Sequence, residues 1–476
     1  KTAAGNTVSK LVTESMQQKP QPSQVPKSLY NIDATGKRHR IYPQDITGKF
    51  TRIRTKLAYL LILIYLLPPW LKINGLPVIQ LNIPDRQFVL FGSIFWPQDV
   101  QYLVFIFILA GLFLFFITAL LGRVWCGWAC PQTIFLEFVL RRIEYWIEGN
   151  RTDQIKLDKS PWTPSKFTKK AIKHLLFLLV AAVVSNTFLA YFTGVDSLLQ
   201  WISSPPWENW TAFLFMLFFL FAFYFDLAHF QEQYCILVCP YARFQSALID
   251  SQTIQVMYDP RRGEPRGRRS KVTGDCIDCS ACIRACPTGI DIRNGSQLEC
   301  IGCTRCIDAC DRIMTRIKKP KGLIRYESEL GLAGEKPSVM RPRIIIYILI
   351  LTIITGSFFW VLSNRPLVEY QLIKPKGVPF TLISQNQVSN HFSLRLINKD
   401  LKQHRIRLAQ QGGEDVSLIV PISPYTLKAN STYRLAFFMI VPRDKLSAGR
   451  LKIPLQVFID DVAQENIELV FIGPSS

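Results

Sequence analysis

Eight of the twelve cysteines fall into two runs of one form, Cys276-x2-Cys279-x2-Cys282-x3-Cys286-Pro287 and Cys300-x2-Cys303-x2-Cys306-x3-Cys310. Two-residue gaps let one loop wrap three corners of an iron–sulfur cubane, while the fourth cysteine of each run crosses to the other cluster. The spacing therefore predicts one [4Fe–4S] cluster on Cys276, Cys279, Cys282 and Cys310, and a second on Cys300, Cys303, Cys306 and Cys286. Paired C-x2-C units also bind zinc. Two matching four-cysteine runs, the first closed by Pro287, favour the bacterial two-cluster ferredoxin instead. The second run ends in Cys310-Asp311, without the proline. Arg284, Arg305, Arg312 and Arg316 lie where they would tune cluster potentials, dock a partner or form a basic surface facing anionic lipid.

The other four cysteines repeat a second motif, Cys126-Gly-Trp-Ala-Cys130-Pro131 and Cys235-Ile-Leu-Val-Cys239-Pro240. Each follows a long apolar run by a few residues. If the motif is helical, its two cysteines share one face, with Cβ atoms roughly 5–6 Å apart, and two such hairpins would bring four thiols together. Soft thiolates select Cu(I), zinc or iron–sulfur chemistry over hard cations. Buried packing cysteines are the plain alternative. The duplication makes Cys126, Cys130, Cys235 and Cys239 the candidate catalytic and metal-binding residues. Near them, His174, Asp226 and His229 fall at ends of apolar runs, where a quinone pocket or a pair of haem ligands is conceivable.

These groups are carried by elements written for two solvents. Of 476 residues, 49% are hydrophobic, and the apolar residues are concentrated in a few long runs. A membrane helix needs roughly 20 mainly apolar residues, which predicts five spans, at about Leu57–Ile73, Val100–Leu121, Ala171–Phe192, Trp210–Phe230 and Ile344–Leu362. In the first, Pro68 and Pro69 near the far end predict a kink or an early stop. The net charge of +21 fits basic cytoplasmic loops better than a nucleic-acid partner. Lys49, Arg52, Arg54 and Lys56 precede the first span, and Arg123, Arg141, Arg142, Lys166 and Lys170 lie between the second and third. Arg261, Arg262, Arg266, Arg268, Arg269 and Lys271 lie between the fourth and fifth. All three segments are expected inside, whereas the sparse loop with Lys72 and Arg86 and the loop Gly194–Glu208 are expected outside.

The domain order that follows is a cytoplasmic tail over 1–50, polar and disordered to about Tyr30, then four spans with both C-x3-C-P motifs over 51–240. A cytoplasmic ferredoxin domain over 241–342, a fifth span over 343–363 and a periplasmic domain over 364–476 complete it. That last region alternates in short runs, His391–Ile397, Arg405–Leu408, Tyr433–Val441, Leu451–Ile459 and Ile467–Ile472, parted by turn groups such as Gln411-Gly412-Gly413 and Pro421-Ile422-Ser423-Pro424. Such spacing predicts an Ig-like β-sandwich. It carries no cysteine, and an interaction or assembly role is expected of it.

Arg40-Ile41-Tyr42-Pro43, both C-x3-C-P motifs, the two ferredoxin runs and the terminal β-domain together resemble the FixG family, also called CcoG or RdxA, over nearly the whole chain. The resemblance implies an inner-membrane accessory protein of cbb3-type cytochrome c oxidase, with two [4Fe–4S] clusters, that reduces Cu(II) to Cu(I). It also implies oxidase assembly factors as partners, beside membrane lipid and an unidentified electron donor. Copper on Cys126, Cys130, Cys235 and Cys239 is the expected substrate site. The alternatives are a quinol-oxidising membrane ferredoxin similar to the NapH type, against which the fifth span and β-sandwich argue, and a non-redox scaffold.

Overall fold

The computed structural model describes residues 40–474 apart from 84–86, 268–273, 374–379, 385, 412–415, 448 and 465. The polar tail to Tyr30, Arg86, Arg268, Arg269, Lys271 and the turn at Gly412-Gly413 lie outside the described residues. Contacts divide the chain into two units. One holds the described residues up to Leu67, with Phe107–Leu189 and Leu198–Thr352; the other holds Pro68–Ile106, Ala190–Ser197 and the residues from Ile353 onward.

In the first unit, α1 (Lys49–Leu66) starts eight residues before the expected first span and stops at its prolines. Pro68 and Pro69 lack the N–H a helix requires, and Lys72–Ile73 is already a short strand. The expected bounds Leu57–Ile73 are therefore replaced by a helix whose first half is basic and whose second half is apolar. Among the described residues four helices are long and apolar enough to cross a membrane, Val100–Leu121, Pro164–Thr193, Trp210–Phe230 and Pro342–Ser363; α1, expected as a fifth span, is not among them. Two begin on a proline, whose fixed φ suits the first helical position, and so start slightly before their apolar stretch.

After α2 (Val100–Leu121) come α3 (Val124–Trp128) and α4 (Pro131–Phe135), the latter prolonged by a π-helical turn at Leu136–Leu140 into α5 (Arg141–Glu148). α6 (Pro164–Thr193) and α7 (Trp210–Phe225) follow. α7 gives way to π-helical turns at Asp226–Phe230 and Tyr234–Val238 and then to α8 (Pro240–Leu248). Beyond the membrane helices, strand Gln255–Tyr258 pairs antiparallel with Ile324–Glu327, and the two cysteine runs lie between them. Each run feeds a helix, α9 (Ala281–Ala285) and α10 (Arg305–Arg316). Val256, Tyr258, Ile292, Ile307, Met314, Leu323 and Ile324 form the core, into which Cys276 and Cys282 are packed.

The second unit contains two antiparallel sheets. One runs in the order Ser417–Ile419, Thr432–Pro442, Gln387–Asn398, Val368–Ile373, and the other Tyr425–Leu427, His404–Gln410, Arg450–Ile459, Val462–Ala463. Thr381–Ser384 also pairs with Gln387–Asn398, and Ile467–Ile472 with Arg450–Ile459. Period-two alternation buries Leu435, Phe437, Met439 and Val441 on one face of their strand, as a half-buried strand requires. All five expected strand runs lie within observed strands. The segment between the first two expected spans adds a small sheet, Ile79–Asn82, Gln87–Leu90 and Ser93–Phe95. Below it, buried Asp99 accepts from Arg365 at 2.9 Å and from Lys399 at 2.6 Å.

Candidate functional site

The two ferredoxin loops turn at equivalent places. Asp278 and Ser280 in the first run, and Gly302 and Thr304 in the second, have φ between 51° and 65°. These left-handed residues on either side of the middle cysteine curl each loop, and the third cysteine then lies on a helix, Cys282 on α9 and Cys306 on α10. One cavity is lined by Cys276, Cys279, Cys282 and Cys310. A second is lined by Cys286, Cys300, Cys303 and Cys306, with Cys282 in the shared wall. The fourth cysteine of each run thus stands beside the other run's cavity.

The chemistry of these donors fits a polynuclear cluster. Burial pushes the thiols of Cys282 and Cys286 up to about 11, those of Cys300 and Cys310 up to about 12, and Cys306 well above its ordinary value. Uncomplexed, they would be neutral at pH 7, and bound iron supplies the charge that releases their protons. Among the described residues no three His, Cys, Asp or Glu side chains converge on a single-ion position. The cysteines instead surround voids.

The C-x3-C-P motifs are not single helices. Cys126 lies in α3, but the chain breaks after it, and Cys130 is extended (φ −63°, ψ 125°) as the N-cap of α4, with Pro131 at the first helical position. In the second motif Cys235 lies in a π-helical turn and Cys239 (φ −67°, ψ 112°) caps α8 through Pro240. The expectation of two cysteines on one helical face is corrected accordingly: proline cannot follow within a helix without removing a hydrogen bond and clashing with the preceding turn. The four thiols still line one cavity, of about 430 Å³, with Arg123 and Ile301. Burial raises Cys126 to about 11 and Cys235 to about 12, and also raises Cys130 despite backbone N–H donors from Thr133 and Gln132. Cys126 Sγ lies 3.4 Å from the side-chain nitrogen of the fully buried Gln245.

This interface cavity abuts the second ferredoxin cavity. Ile301 lines both. A Cβ on Gly127 would stand 2.6 Å from the Ile301 carbonyl oxygen and 2.9 Å from both N and Cα of Cys303. Only glycine lets the two backbones meet so closely. Trp128 Nε1 donates to Tyr326 Oη at 3.0 Å, and that hydroxyl donates to the Gly302 carbonyl at 3.3 Å. Arg123 donates to the carbonyls of Leu298 and Ala242.

Buried charges join the same elements. Arg305, between Cys303 and Cys306, donates to Glu137 at 2.8 Å and to the carbonyls of Ala285 and Gln44. Glu137, in the π-helical turn, also pairs with Arg141 at 2.7 Å, and Arg141 with Glu232. Asp308 accepts from both the amide and hydroxyl of Thr51 at 2.7 Å. Of these, sequence reasoning named Arg305 and Arg141 only as members of basic groups, and it missed Gly127 and Glu137. A glutamate within an apolar helix following Pro131 was the available signal. His174, for which the sequence left a haem pairing with His229 open, hydrogen-bonds the Tyr224 hydroxyl through Nδ1 at 2.9 Å and stacks on His229.

Comparison with known proteins places these parts. Residues 230–329 match the family described as 4Fe-4S dicluster domain, residues 102–151 that described as 4Fe-4S binding domain, and residues 358–474 the IG-like fold at the C-terminal of FixG. The chain is 35% identical to protein RdxA of Cereibacter sphaeroides, across 88% of this chain and 93% of that one. It is 32% identical to protein RdxB of the same organism, across 93% and 96%. To the nitrogen fixation protein FixG of Rhizobium meliloti it is 30% identical, across 79% and 80%.

Proposed function

We propose that this chain, which belongs to the FixG/RdxA family of membrane-associated 4Fe–4S electron-transfer proteins, uses its electrons to reduce Cu(II) to Cu(I) for assembly of a cbb3-type cytochrome c oxidase. The carrying observation is the series of three cysteine-lined cavities with common walls, Cys282 between the first two and Ile301 between the second and third. In this reading Cys276, Cys279, Cys282 and Cys310 hold one cluster, and Cys300, Cys303, Cys306 and Cys286 the other. When bound, the clusters supply one-electron exchange. The protein fixes their spacing through Gly127, Arg305 and Asp308, which hold the loops against α3, the π-helical turn Leu136–Leu140 and α1.

In this reading Cys126, Cys130, Cys235 and Cys239, which line one cavity without converging on a single-ion position, would close on the copper ion as it enters. Thiolates prefer Cu(I) to Cu(II), so four soft donors favour the one-electron product. A donor facing the ferredoxin domain supplies the electron. In this reading the ferredoxin domain is cytoplasmic and the β-sandwich periplasmic, which a periplasm-active reporter fused to the C-terminus would test.

One observation favours a second reading. A cavity of about 430 Å³ exceeds what one ion fills and is in the range of small organic ligand pockets, as a quinol-oxidising membrane ferredoxin would need. Anaerobic protein with reduced clusters, mixed with Cu(II), separates the two. Cluster oxidation matched by Cu(I) formation, and lost when all four interface cysteines become serine, is the expected result. No reaction with Cu(II), combined with cluster reduction by a quinol, would replace copper reduction with quinol oxidation.

A further inference from the structure

We infer that Arg54 sets the potential of the cluster held by Cys286, Cys300, Cys303 and Cys306 above that of its neighbour, and so makes it the one that discharges toward the interface cysteines. This rests on the ligand assignment proposed above and not on the identity of the acceptor.

Arg54 lies in the basic half of α1 and is only 2% exposed. Its Nε donates to the carbonyl of Gly127 at 2.9 Å, and its guanidinium carbon lies 5.2 Å from the ring centre of Phe138. Gly127 is the residue whose α-carbon packs on the backbone of Cys303. The guanidinium therefore sits one residue's thickness from a cluster ligand, held by the first C-x3-C-P motif. Its Nη2 is buried and has no hydrogen-bond partner among the described residues.

A buried cation left part-satisfied is costly, and among the described residues Arg54 has no ion-pair partner of its own. Glu137 pairs with Arg141 and Arg305, Glu232 pairs with Arg141, and Asp308 accepts from the amides of Phe50 and Thr51 and from the Thr51 hydroxyl. A cluster on four thiolates is anionic and supplies the opposite sign at that place. Reduction adds one more negative charge, so a fixed cation beside the cluster favours the reduced form, and more strongly in a low dielectric than in water.

At the other cavity the arginine is already paired. This residue, Arg293, is taken up by Asp291 at 2.7 Å and by Asp278. A cation already neutralised by two carboxylates contributes little to the potential of the cluster on Cys276, Cys279, Cys282 and Cys310. Electrons entering there run downhill across the Cys282 wall to the Arg54 side, and leave past Ile301.

The test is a redox titration followed by electron paramagnetic resonance on the full-length, cluster-loaded protein, with signals assigned by their loss in Cys279→Ala and Cys303→Ala. In the wild type, the cluster lost with Cys303→Ala should titrate at the higher potential. In Arg54→Gln, its reduced-to-oxidised ratio at the wild-type midpoint should fall about tenfold, about 59 mV for a one-electron couple. The other cluster should not move, and Arg54→Lys should restore most of the shift. Arg54→Gln that keeps both clusters and shifts neither, or both equally, would overturn the inference. So would a wild type in which the Cys303-side cluster has the lower potential, a result that needs no Arg54 variant. Retention of both signals in Cys303→Ala would count instead against the ligand assignment.

Discussion

Gly127 and Cys303 meet backbone to backbone, 176 positions apart in sequence but so close that a single added Cβ would lie 2.9 Å from both N and Cα of the cysteine. One residue belongs to the motif after a membrane helix, the other to a cluster loop. Their contact makes the two cysteine systems one site.

Gly127→Ala should therefore act on both. The nearest atoms are backbone, which cannot swing aside as a flexible side chain would, and overpacking of this kind costs typically 1–3 kcal/mol. Thermal unfolding should shift down by that amount, and electron exit from reduced clusters should slow. Gly111→Ala, where an added Cβ meets nothing within 4 Å, is the control and should leave exit unchanged.

Because the fourth cysteine of each run stands at the other run's cavity, Cys310→Ala and Cys286→Ala should have crossed effects. Cys310→Ala should remove the cluster of the first run, and Cys286→Ala that of the second. Iron per chain should fall from about eight to about four in each case. If each variant lost its own run's cluster, the uncrossed pairing would be correct.

Asp99 holds two cations, Arg365 and Lys399, the latter 2% exposed at its side chain. Asp99→Ala strips the carboxylate from both, although Glu369 still pairs with Lys399 at 2.8 Å. Breaking a buried pair by removing one partner costs about 3–5 kcal/mol, and the remaining carboxylate places the expected loss at the lower end. Denaturant unfolding followed by Trp96 fluorescence would measure it.

His404 gives the β-sandwich a pH dependence. Burial works against its charge, but Asp460 at 2.6 Å and Asp400 at 3.1 Å outweigh this and hold its pKa above the ordinary histidine value. A raised folded-state pKa contributes stability that is complete below the unfolded value, about 6.5, and is lost as pH rises through the folded value. The midpoint of β-domain unfolding in the full chain should therefore fall as pH is raised from about 6 through the folded pKa. His404→Asn should flatten that slope.

The ferredoxin runs, the repeated C-x3-C-P motif and the β-strands were legible because their signals are local. Cluster loops depend on two-residue gaps, half-buried strands on period two, and four of the apolar helices on length and composition alone. The expected first span is the exception: its helix begins in basic residues, ends at its prolines and is not among those apolar enough to cross a membrane. Pro68 and Pro69 signal a stop, but hydropathy continues past them to Ile73.

What tertiary structure decided is where charges and backbones meet. Arg54 and Arg141 read as a flanking base and a loop cation, and Glu137 drew no reading, since sequence distance says nothing of burial. Folding buries all three, and burial gives them meaning: a charge removed from water must find its partner in three dimensions. Gly127 is likewise an ordinary residue of a short motif until Cys303 arrives against it. The sequence by itself determined where the two cysteine runs, the repeated C-x3-C-P motif and the long apolar segments lie. Only the packed structure determined which cysteine systems touch and which cation stands between them.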